Sequence, residues 1–172
     1  LRHQALLVHR DLDDAALVFD QVTDASFAQT IDGTGSLTKT GAGNLNLTGT
    51  NTLSGATTIE AGKLSVNGSL ASSAVTVLSG GALGGNGTVG NTTLQAGGVI
   101  APGNSIGQLT VQGNFTGAGG TVEIEAMLDG DASSTDKLII TGNTSGSANV
   151  KVIGLGGAGA QTDNGIKIID VG

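Results

Sequence analysis

The chain of 172 residues has no cysteine, no tryptophan, no tyrosine and a single proline. Without cysteine there can be no disulfide and no thiolate metal centre, so the fold is held by non-covalent contacts alone. Phe19, Phe27 and Phe115 are the only aromatics, which leaves Leu, Val, Ile and Ala to fill the core and favours thin, layered structures over thick ones. Seven lysines and arginines stand against fourteen acids, a formal charge of −7. Because the seven are scattered from Arg2 to Lys167, no basic patch forms, and a nucleic-acid or anionic-membrane partner is disfavoured. No apolar run approaches the roughly 18 residues of a spanning helix, so no direct membrane insertion is expected.

Residues 64–122 carry no charged side chain at all, so that third of the chain can supply no carboxylate pair, general base or lysine nucleophile. Glu123 and Glu125, two apart in an apolar, polar, apolar pattern, read as a solvated outer face. Asp129, Asp131 and Asp136 in DGDASSTD lack the oxygen spacing, central glycine and final glutamate of a calcium loop, and read as a polar hairpin turn. GNGTVG (85–90) and GLGGAG (154–159) match the dinucleotide fingerprint in letters, but neither precedes a helix-like segment. His3 and His9 sit in the least ordered-looking stretch without a nucleophile-elbow motif. No catalytic residue, metal ligand or cofactor is expected.

What the chain has in abundance is glycine, 31 residues of it. From about residue 33 it breaks into short alternating segments separated by Gly, Asn, Ser and Thr. Leu45-Asn46-Leu47, Leu64-Ser65-Val66, Val75-Thr76-Val77, Leu109-Thr110-Val111, Val122-Glu123-Ile124, Val150-Lys151-Val152 and Ile166-Lys167-Ile168 each put two apolar residues on one face of a strand. Another short strand is expected at Ala16–Phe19. Leu45, Leu64 and Leu83 recur at equal spacing, and Gly80-Gly81, Gly84-Gly85, Gly97-Gly98 and Gly119-Gly120 punctuate the rest. That is the signature of an all-β solenoid, with a β-sandwich of short strands as the competing arrangement.

The run GTGSLTKTGAGNLNLTGTNTLSGATTIEAGKLSVNGSL, Gly33 to Leu70, resembles the passenger-associated repeat of bacterial autotransporters. GALGGNGTVGN, GGVIAPGNSIGQLTVQGNFT and EIEAMLDGDASSTDKLIITG resemble the pertactin-like C-terminal segment of those passengers. The resemblance spans most of residues 16–170 and implies a right-handed parallel β-helix, exported through the outer membrane to the cell surface or secreted. Its implied role is that of folding nucleus, or autochaperone, and stalk for an upstream effector. The implied partners are the chain's own C-terminal outer-membrane β-barrel and the upstream passenger domain. A second reading is an adhesive surface of outward Thr, Ser and Asn rows for host glycans or proteins. Any enzymatic activity is expected upstream, the chain being read as a fragment that begins without methionine or signal peptide.

Three segments are expected: a truncated or poorly ordered 1–15, β-helix turns over 16–125, and a C-terminal autochaperone and cap over 126–172. Val150 to Val171 is expected to fold as a β-hairpin over the open end, which would shield an exposed strand edge. The lone proline, in Val99–Phe115, is read as a corner, with Pro102 setting φ and Gly103 supplying the permissive position. Ile106, Leu109 and Val111 then re-enter the core, Phe115 fills its wide end, and Val122 and Ile124 continue it. These eight residues are the expected structural and folding site.

Overall fold

The computed structural model describes residues 15–172. The segment 1–14, with both histidines and most of the expected N-terminal segment, lies outside the described residues. Seventeen strands and no helix occur among those described. They are β1 (Ala16–Asp20), β2 (Ala25–Phe27), β3 (Ser36–Thr40), β4 (Asn44–Leu47), β5 (Thr57–Ile59), β6 (Gly62–Val66), β7 (Ser69–Leu70), β8 (Val75–Val77) and β9 (Gly81–Gly85). After them come β10 (Thr88–Val89), β11 (Thr92–Gln95), β12 (Val99–Pro102), β13 (Gln108–Val111), β14 (Phe115–Ala126), β15 (Lys137–Ile140), β16 (Thr144–Gly154) and β17 (Ile169–Val171).

Every strand pairs in parallel with the strand one coil away, which excludes the sandwich and makes the chain a parallel β-helix of three faces. The first face stacks β1, β3, β5, β8, β11 and the start of β14. The second stacks β2, β4, β6, β9, β12 and the end of β14. The third stacks β7, β10, β13, β15 and β17. In the last two coils β14 and β16 run through the corner between the first two faces without a break, 12 and 11 residues long.

Period-two alternation determines what lies inside. Leu45, Leu64 and Leu83, equally spaced in sequence, stand in register on consecutive coils, and Ile100 and Val122 extend their column. On the third face Leu70, Val89, Val111 and Ile140 do the same. All of these side chains are buried. Each contributes roughly 1.5–3 kcal/mol by leaving water, which is why short strands without aromatic anchors suffice. Phe19 and Phe27 close the first coil edge to face, with ring centroids 5.6 Å apart. Three of the four glycine pairs stack at one corner, where Gly80, Gly97 and Gly119 all have positive φ.

Two expectations fail at the C-terminal end. Val150–Val171 does not form a hairpin: β16 lies parallel on β14 and β17 parallel on β15, so the segment continues the coil. A tight hairpin would have forfeited the ten-position ladder that β16 makes with β14. Ile166-Lys167-Ile168 precedes the final strand instead of forming it. Val150 and Val152 align with buried Val122 and Ile124, yet they are about half exposed, since among the described residues no coil stacks on the other side of β16.

Candidate functional site

The expected site residues fall in the coils formed by residues 92–172, and most lie in the core. Leu109, Val111, Val122 and Ile124 are buried in the central column, and Phe115 joins them at the wall where the coils widen. The repeat grows from 19 residues between Asn67 and Asn86 to 23 between Asn91 and Asn114 and 29 between Asn114 and Asn143. A larger side chain is needed there to fill the wider section. Ile106 differs from expectation: it is only half-buried and stands outside the core cluster. It belongs to the irregular span between β12 and β13, where no ladder aims it inward.

Pro102 is the last, buried residue of β12, in register with Gly85. The corner starts one residue later than expected. Gly103, at φ 84°, exchanges both backbone hydrogen bonds with Gly85, at 2.9 and 3.1 Å. Proline ends the strand without wasting a donor, and glycine makes the reversal without steric cost. Ser105 follows at φ 129°, a region that side chains rarely occupy.

The irregular span is held by a residue that the sequence placed in a polar hairpin turn. Asp136 is buried, and its Oδ1 and Oδ2 accept the backbone N–H groups of Gly107 and Glu125, each at 2.8 Å. Burial pushes its carboxyl above the usual 3.8, against the opposing pull of those two bonds and of the charge on Lys63. A period-two count from Leu138 and Ile140 puts Asp136 on the inner side of β15's line, which is the signal that could have found it.

The rest of DGDASSTD is a turn, as expected, closed by an antiparallel bridge between Ala126 and Thr135. Onto it folds the loop 155–168. Asp129 accepts from Ala158 N at 2.8 Å, and Asp131 accepts from the backbone N–H groups of Asp163, Asn164 and Gly165 at 3.0–3.2 Å. These carboxylate oxygens serve as caps for backbone donors. Glu123 lies outward and pairs with Lys151 at 2.8 Å. GNGTVG (85–90) ends β9 and contains β10, so its glycines turn a corner between strands. No group of three or more metal-ligating side chains is assembled among the described residues.

A buried aliphatic column, satisfied corners and capped loops describe a scaffold of the kind built from repeating coils. Comparison with known proteins is consistent with that class. The family model described as Autochaperone Domain Type 1 matches residues 92–172, and the Passenger-associated-transport-repeat matches residues 37–66. The chain is 51% identical over 71 residues to the uncharacterized protein YdeU of Escherichia coli (strain K12), covering 41% of the chain and 15% of that protein. It is 50% identical over 76 residues to the adhesin BmaC autotransporter of Brucella suis biovar 1 (strain 1330), covering 44% of the chain and 2% of that protein. To the autotransporter adhesin AIDA-I of Escherichia coli it is 41% identical over 68 residues, covering 39% of the chain and 5% of that protein. The chain thus spans a small fraction of the length of these relatives. These matches support an autotransporter passenger domain, and the autotransporter relatives indicate export to the cell surface or secretion.

Proposed function

We propose that residues 92–172 are the folding nucleus of the passenger and that the coils before them form a stalk displaying an upstream effector. The observation that carries this reading is the overlap of the autochaperone match with the two longest strands, β14 and β16, which pair over ten positions across two faces. A strand that crosses a corner with a single register shift, here between Ala118 and Thr121, gains ladder bonds on two faces without a separately nucleated turn. Coils added to a preformed edge need only their own ordering, since stability in stacked repeats is a sum of nearest-neighbour terms. Folding outside the cell would then hinder return of the chain through its own C-terminal β-barrel, the partner this reading requires together with the upstream passenger domain. The scaffold role leaves enzymatic activity, where the parent protein has one, to that upstream domain.

Native-state hydrogen exchange on the 172-residue chain in rising guanidinium tests the nucleus. Amides of Leu109–Val111 and Phe115–Ala126 should be the last to open. Coils between residues 36 and 89 that outlast them would overturn the reading.

An adhesive role is the second reading, favoured by one outward column. Thr38, Thr58, Thr76, Thr93 and Thr116 stand in register on consecutive coils and continue into Ser145. Signal from the isolated chain on a glycan array, lost in the double variant Thr76→Val and Thr93→Val, would support it; an array without signal argues for a solubilising surface.

A further inference from the structure

One hydrogen-bond pattern recurs at five corners in the same direction, while Asn51, whose Oδ1 accepts Ile31 N at 2.9 Å, runs the opposite way. The side-chain oxygen of Asp24 accepts Asn44 N at 2.8 Å, that of Asn67 accepts Asn86 N at 3.0 Å, and that of Asn86 accepts Gln108 N at 3.0 Å. In the same sense Asn91 accepts Asn114 N at 2.7 Å and Asn114 accepts Asn143 N at 2.9 Å. In each case the oxygen belongs to the earlier coil and the N–H to the later one. Corner amides point away from the strand ladders, and the Asp24 carboxylate and the four carboxamides supply the acceptor that the ladder does not.

The corners that receive Asn86 and Asn91 are also shaped for the accepting oxygen. A Cβ on Gly107 would fall 1.9 Å from Asn86 Oδ1, and one on Gly113 would fall 2.3 Å from Asn91 Oδ1. Glycine at these two positions leaves the gap that the carboxamide occupies. The autochaperone match begins at residue 92, so both bonds cross its boundary: Asn86 and Asn91 lie before it, and Gln108 and Asn114 lie within it.

We propose that Asn86 and Asn91 are the residues by which the incoming coil is recognised and set in register on the terminal segment. The terminal segment presents two glycine-lined notches, each with a corner N–H, and the coil before it presents two carboxamides of matching reach. A coil shifted by one residue would turn its apolar column outward and would also leave both N–H groups uncapped. Aliphatic stacking supplies the attraction between coils, and the carboxamide pair selects one alignment. This rests on the nucleus reading and specifies how the nucleus is extended.

The test compares the 172-residue chain with N86A/N91A, with N86D/N91D, which keeps an acceptor oxygen at each site, and with Q112A as a surface control. Hydrogen exchange and equilibrium unfolding are read separately for residues 57–90 and for residues 108–140. In N86A/N91A, exchange of the 75–90 amides should rise by about tenfold or more, as expected for lost hydrogen bonds of ordinary strength. The 108–140 amides should keep their protection apart from Gln108 and Asn114, and the single transition should split in two. N86D/N91D should restore most of the coupling, and Q112A should behave as wild type.

An unchanged single transition in N86A/N91A, or equal loss of protection on both sides of the boundary, would overturn the proposal. The nucleus reading is judged on the wild-type chain alone, by whether its last protected amides lie within 92–172. The two can therefore fail independently.

Discussion

Lys39 stands in register with Ile59 in the inner wall of the first face, and both side chains are fully buried. The ammonium reaches the corner, where Nζ donates to the carbonyl oxygens of Thr40, Gly41 and Ala61, the last two at 2.8 and 3.3 Å. A buried cation satisfied by carbonyl dipoles has lost its water without gaining a bonded carboxylate.

That placement has a pH signature. Desolvation lowers the pKa of Lys39 below 10.5, and the charge of Asp20 offsets this only in part. Between the lowered value and 10.5 the unfolded chain binds more protons than the folded one, so stability rises with pH across that window. Raising the pH from about 8 to about 10.5 should lift the guanidinium midpoint of the wild type relative to Lys39→Met. A constant gap between the two proteins would mean that folding leaves the lysine's protonation unchanged.

The column and the irregular span should respond differently to truncation. Leu64→Ala, in a fully buried position between Leu45 and Leu83, should cost about 2–5 kcal/mol by denaturant unfolding. Ile106→Ala, half-buried outside the core cluster, should cost less than about 1.5 kcal/mol. For surface display the same order should hold: Leu109→Asn and Val111→Asn reduce it severely, and Ile106→Asn mildly. Equal losses at all three positions would argue against the column as the determinant.

Asp136 joins residues distant in sequence, so its removal should be felt on both. Asp136→Ala leaves the N–H groups of Gly107 and Glu125 without their acceptor, at about 1–3 kcal/mol for each that stays buried and unpaired. Because the pKa is raised, the folded chain binds the proton more tightly between 3.8 and the raised value, and Asp136 makes stability fall as pH rises through that window. Asp136→Asn should abolish that component; a pH profile identical to wild type would refute it.

Asp131 predicts the opposite dependence at the end of the helix. Desolvation pushes its carboxyl upward, but the bonds from Asn164, Asp163 and Gly165 outweigh it and hold the carboxyl below 3.8. Its contribution is therefore complete above 3.8 and fades as pH falls through the lower folded value. Exchange of the Asp163–Gly165 amides should quicken in Asp131→Ala at neutral pH while the β13 amides stay protected. Unaltered exchange would mean that the loop is held by its backbone contacts to residues 126–128 alone.

Much of this architecture is legible in local pattern. Leu45, Leu64 and Leu83 announce a stacked column by spacing, and the strand from Ala16 and most of the apolar, polar, apolar triplets are realised where expected. Period two also places Lys39 on the same face as Leu37, so a strict count marks it as inward, although its charge suggests a surface residue. Asp136 hides in a polar turn because its partners, Gly107 and Glu125, come from other parts of the coil. Val150 and Val152 have the same alternation as Val122 and Ile124, and only their position on the final β16 leaves them exposed.

Composition and alternation by themselves determined an all-β chain of stacked coils with an aliphatic interior, because side-chain direction in a strand follows from the backbone's two-residue repeat. The tertiary structure decided which inward positions are covered, which polar groups are caps, and that the C-terminal segment continues the coil. Those outcomes depend on whether another rung lies against a given residue, and that neighbour is supplied by chain 17 to 31 residues away, beyond the reach of any local pattern.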